Sequence, residues 1–162
     1  MTLLVPEKFI QRIMLEQIHS NNIEPLPEEE IQLLKGLKMY RRKNQYRNPD
    51  IDITYKGLPI GIWCQTCLKL YQTGALDVAR THLLMEAGVI ILSEREIAWL
   101  NMAQRFYQYI HYPNLILSDL ELLESINSWT IKERRRWKKN PSKYSAFHQE
   151  ILVTIVPYFF ML

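Results

Sequence analysis

The feature that most constrains this chain is a recurrence of large aromatic residues at one offset. Shifting the sequence by 66 places Tyr40 on Phe106, Tyr46 on Tyr112, Trp63 on Trp129 and Tyr71 on Trp137. Tryptophan occurs only four times in 162 residues. A tryptophan pair falling into register with three other aromatic pairs is therefore more informative than aligned leucines would be. A two-residue insertion moves the offset to 68, whereupon Leu76 meets Tyr144, Asp77 meets Ser145, and Leu83 and Leu84 meet Ile151 and Leu152. Self-similarity at a fixed period implies stacked copies of one small unit. We read two copies, 31–92 and 93–162, behind an N-terminal helix and connector, 1–30.

The whole chain carries helical patterning. Phe9, Ile10, Ile13, Met14 and Ile18 form one face of a first helix over about 6–20, with Pro6 at its start and "HSNN" at its end. A second helix runs from Pro27 to about Asn44, with Glu28, Glu29 and Glu30 at the positive end of its dipole and Leu33, Leu34, Leu37 and Tyr40 inward. "YRNPDIDITYKGLP" is an irregular connection. Ile60, Trp63, Cys64, Cys67, Leu68 and Tyr71 then make a wide stripe, closed by Gly74. Asp77 caps a helix that ends at Gly88, Ser93 and Glu96 open the next in a capping box, and Ser118 and Glu121 form another. A short helix from there breaks near Asn127 and Ser128. It leads into a basic helix, "SWTIKERRRWKK", and Ser145 caps the last one. The expected fold is all-α, two tandem three-helix bundles preceded by an N-terminal helix. Trp63 and Trp129 should each anchor a small core.

Other architectures and chemistries find little support. "ILVTIVPYFFML" is too short for a membrane span and contains Pro157, and "MTLLVPEKF" lacks the basic and apolar regions of a leader, so a cytoplasmic protein without a membrane partner is expected. Cys64 and Cys67 form a CxxC, but they share a stripe with Trp63, Leu68 and Tyr71, and no second CxxC completes a tetrahedral zinc site. Both are read as small buried hydrophobes, with no metal and no cofactor. His19, His82, His111 and His148 are scattered without a nucleophile motif, and Asp50 and Asp52 read as a solvated turn. No catalytic residue is assigned.

Charge is where the sequence points outward. The net charge is only +3, yet Lys35, Lys38, Arg41, Arg42, Lys43 and Arg47 lie together without an acid between 35 and 47. Lys132, Arg134, Arg135, Arg136, Lys138, Lys139 and Lys143 lie between 128 and 143 against Glu133 alone. Lys132, Arg135, Arg136 and Lys139 recur at helical spacing and can share a face opposite Trp129 and Trp137. Such a face suits phosphate oxygens. Helices favour cations at their C-terminal ends in any case, which is the plainer explanation.

The stretch "GLPIGIWCQTCLKLYQTGALDVARTHLLMEAGVII" resembles the helicase-associated domain, a tandem helical repeat on the C-terminal side of some bacterial DEAD-like helicases. Gly57, Ile60, Gly61, Trp63, Gly74, Leu76, Leu83, Leu84 and Gly88 stand where that family's pattern places them, and "LLKGLKMYRRKNQYRNP" is similar to its first helix. The family's Gln-Arg pair is replaced by Cys67 and Leu68 in the first copy and by Glu133 and Arg134 in the second. No GxxxxGK[ST] phosphate loop accompanies the repeats. The resemblance implies a nucleic-acid-binding accessory with a small DNA-binding-like bundle, so DNA is the implied partner.

The expected function is thus a non-enzymatic nucleic-acid-binding module. Arg41, Arg42, Lys43, Lys132, Arg135, Arg136 and Lys139 would contact the phosphate backbone. Base-specific reading is not expected, because the third helix of the first copy offers only Arg80 and that of the second no cation. The alternative is a protein-interaction module, a small regulator or inhibitor from a phage or other mobile element, with the apolar C-terminal segment meeting a protein partner.

Overall fold

The structure is a computed structural model and describes residues 3–19 and 26–159. Seven α-helices account for most of it: α1 (Pro6–His19), α2 (Glu28–Lys43), α3 (Ile60–Gln72), α4 (Val78–Glu86), α5 (Glu94–His111), α6 (Leu120–Lys139) and α7 (Ala146–Phe159). Short 3₁₀ turns, Pro113–Leu115 and Pro141–Lys143, precede α6 and α7. No strand occurs among the described residues; Tyr55 and Leu58 form a single bridge. The described residues form an all-α fold, in keeping with the periodicity.

The helix ends obey local chemistry. Ser93 Oγ accepts from the Glu96 N–H at 3.2 Å, and Ser145 Oγ accepts from the His148 N–H at 3.1 Å. Gly74 and Gly88 close α3 and α4 at φ of +78° and +79°, which costs a glycine little. Two starts differ from expectation. At α6 the cap is Asp119 rather than Ser118, its carboxylate accepting from the Leu122 N–H at 3.0 Å. At α4 the Asp77 carboxylate turns to Arg80, and the Val78 N–H donates instead to Glu150 on α7.

The break expected near Asn127 and Ser128 is not present, and α6 runs unbroken for 20 residues. Both side chains are exposed, so water satisfies them and they do not compete for the helix backbone.

Packing pairs α2 with α3, α5 with α6, and α4 with α7, while α1 lies against α4, α5 and α7. Phe9, Ile10 and Ile13 of α1 are all buried, and they join one apolar cluster to which every helix contributes. The N-terminal helix is therefore part of the core rather than an appendage. Trp63, Trp129 and Trp137 are half-buried at its margin. The fully enclosed large side chains are Phe9 and Phe106, with the isoleucines and leucines around them.

Gly61 shows how closely α3 is seated. A Cβ there would lie 2.0 Å from the Asp50 carbonyl oxygen, so only glycine lets the irregular connection close over the start of the helix.

Candidate nucleic-acid interface

The last three turns of α6 carry the basic face. Lys132, Arg135, Arg136, Lys138 and Lys139 are all exposed, and none forms an ion pair among the described residues. The one acid between them, Glu133, is buried. Tyr144 explains its position: the phenol O–H reaches Glu133 Oε2 at 2.5 Å and the Glu133 carbonyl oxygen at 3.2 Å. Burial first, and then this hydrogen bond, holds the Tyr144 hydroxyl well above its ordinary pKa. The negative charge is turned inward, and five of the six cations in these turns are left exposed, Arg134 being half-buried. The Arg136 guanidinium lies 4.3 Å from the centre of the Tyr144 ring, a cation–π contact that steadies it at the surface.

Behind this face is a groove of about 720 Å³, between α5, α6 and the start of α7. Trp99, Trp129 and His148 supply its aromatic wall, and Arg95, Lys132, Arg136 and Lys143 line it as cations. Trp99 stacks on His148 with centroids 4.2 Å apart, and it meets Trp129 edge-on at 6.0 Å. The His148 ring is held by Glu96, with Nε2 2.7 Å from the carboxylate.

The other basic cluster divides. Arg42 and Lys43 are exposed at the end of α2, Lys43 sitting 5.4 Å from the centre of the Tyr55 ring. Arg41 departs from the expectation: it is 8% exposed. Its guanidinium donates to the Asn48 side chain and to the Gly88 carbonyl at 3.1 Å. It ties α2 to the end of α4 and is withdrawn from the phosphate-contacting set.

Arg80 is occupied as well. Its Nε and one terminal nitrogen reach Glu30 at 2.8 and 2.5 Å, and the other terminal nitrogen reaches Asp77 at 2.9 Å. Glu30 also accepts from the Trp63 indole at 3.1 Å. The Arg80 hydrogen bond, ahead of an opposing desolvation effect, lowers the Glu30 pKa.

Cys64 and Cys67 are buried and free, and burial pushes both thiols up to about 11. They pack as the stripe suggested. Among the described residues no group of three or more His, Cys, Asp or Glu side chains is arranged to hold a metal. His82 is also buried, and desolvation lowers its pKa. No described helix is long and apolar enough to cross a membrane.

Sequence reasoning did not assign Trp99, His148, Arg95 or Lys143 to the candidate site. A signal was available, because at offsets of 66 and 68 they stand opposite Leu33, Arg80, Glu29 and Ala75. Three of those four comparisons change the chemical class of the side chain. Compared with protein-family models, curated proteins and solved structures, the chain matches none.

Proposed function

We propose that this is a non-enzymatic nucleic-acid-binding module that holds the phosphate backbone with Lys132, Arg135, Arg136 and Lys139, joined by Lys138, and with Arg42 and Lys43 at the end of α2. The observation that carries the reading is the sorting of charge over the last three turns of α6, where the one acid is buried on Tyr144 and five cations stand outside without an ion-pair partner among the described residues. Dipole preference accounts for the cations of the final turn alone, because it fades within that turn. Lys132 and Arg135 lie earlier. DNA is the partner suggested by the resemblance to helicase-associated repeats.

In the same reading α2–α4 and α5–α7 are two related three-helix units behind α1. Several facts favour this. Glu28 and Glu94 begin their helices 66 residues apart, and Val78 and Ala146 begin theirs 68 apart. At those same offsets the clasp of Glu30 to Arg80 corresponds to that of Glu96 to His148. Each clasp joins the first helix of its unit to the third. The protein-interaction alternative loses part of its motive, since Ile151, Leu152 and Ile155 of the apolar C-terminal segment are buried in the chain's own core.

The test is binding of labelled DNA by anisotropy across a salt series. Seven phosphate contacts give a slope of log affinity against log salt of about −6 on duplex and about −5 on a single strand. Replacing Arg135 and Arg136 together by Glu should flatten that slope by roughly one unit for each phosphate no longer neutralised and leave the fold intact. A folded double variant that binds as the wild type does would refute the proposal.

A further inference from the structure

We infer that the groove between α5, α6 and the start of α7 takes single-stranded nucleic acid, stacking a base on one ring of the wall formed by Trp99, Trp129 and His148 while Lys132, Arg136 and Lys143 hold the adjoining phosphates. This rests on the phosphate-contact reading above and goes further by naming the form of nucleic acid. A duplex hides the faces of its bases inside its own stack, so a wall of three aromatic rings has nothing to meet there. A single strand presents those faces, and aromatic side chains beside a basic track are how such strands are held without sequence preference.

Charge and size agree. Four cations line the groove with two carboxylates, Glu96 and Glu133, and both carboxylates are already engaged, by His148 and by Tyr144. The charge left for a ligand is positive. The groove's volume of about 720 Å³ accommodates a base with its sugar and phosphate.

The first unit supplies an internal comparison. Where the second unit has Arg95, Lys132, Arg136 and Lys143, the first has Glu29, Thr66, Leu70 and Ala75, which are likewise exposed. Where the second has the half-buried Trp99, the first has Leu33, closed to 5% exposure. The same helical scaffold thus packs without the cations and with an aliphatic residue in place of the indole. The aromatic wall and its charges are an addition that packing does not require.

The experiment titrates the full chain at low salt with three DNA ligands: an oligothymidine of about twelve nucleotides, an abasic strand with the same number of phosphates, and a duplex of that length. Anisotropy reports affinity, and intrinsic tryptophan fluorescence reports stacking. The oligothymidine should bind roughly ten-fold or more tightly than the abasic strand and quench the tryptophans. Trp99→Leu, which copies the first unit's Leu33, should bring oligothymidine down towards the abasic affinity and remove most of the quenching. Equal affinity for oligothymidine and abasic strand, preference for the duplex, or binding without quenching each overturns the inference while leaving phosphate contact standing. Binding to none of the three, or only to an acidic peptide run in parallel, overturns both. The wild-type comparison decides the matter even if Trp99→Leu fails to fold.

Discussion

The clasp between Glu30 and Arg80 is where a small change should have the most readable effect on stability. Arg80 presents two nitrogens to the two oxygens of Glu30, a bidentate geometry that is stronger than a single charged contact. The side chains keep 32% and 18% of their surface, so water screens part of the attraction. Fully exposed pairs couple by about 0.2–1 kcal/mol and hydrogen bonds to charged groups contribute about 1.5–3 kcal/mol. A coupling of about 1–2 kcal/mol between these limits is the expectation. Glu30→Gln, Arg80→Met and the double variant close a cycle, read by urea midpoints at constant slope. Glu30→Gln keeps an acceptor for the Trp63 indole, so the cycle isolates the ion pair. The single variants should also lower Tm by about 2–8 °C.

The pH dependence has a definite sign. Arg80 lowers the Glu30 pKa in the folded chain, so as pH falls the unfolded chain protonates first. The stabilisation is complete above the unfolded carboxylate value of about 4.3 and is lost as pH drops through the lower folded value. Wild type should therefore lose stability through that acid window more steeply than Glu30→Gln. A coupling below about 0.3 kcal/mol, within the error of additivity for unlinked sites, together with parallel acid limbs, would refute the reasoning.

Gly61→Ala should destabilise by about 2–3 kcal/mol or more in urea unfolding, because its Cβ would meet the Asp50 backbone oxygen, which cannot rotate away. Cys64 and Cys67, with thiols held near 11, should react with a thiol reagent at pH 8 about two orders of magnitude more slowly in the native chain than in denaturant. Glu150→Gln should leave stability at neutral pH unchanged or higher, since burial raises the Glu150 pKa and glutamine still offers Val78 an acceptor. Glu150→Ala should cost about 1 kcal/mol by leaving the α4 N-terminus uncapped.

The sequence alone determined what depends on near neighbours in the chain. Helical periodicity, the caps at Ser93 and Ser145, and the closing glycines 74 and 88 act within about four residues, so their outcome can be read in order along the chain. The exposed cations of α6 follow from the same spacing. Its continuity through Asn127 and Ser128 did not follow, because such a pair can either bond to nearby backbone and end a helix or point out to water, and packing decides which. Only the tertiary structure turned Arg41 inward, since its acceptor at Gly88 comes from the end of another helix 47 residues away. Only the tertiary structure brought Glu150 to the start of α4, and gathered Trp99, Trp129 and His148 beside Lys132 and Arg136 into one groove. These groups meet because helices pack through their apolar stripes, and the polar side chains at the margins then find whatever partner the packing puts within reach.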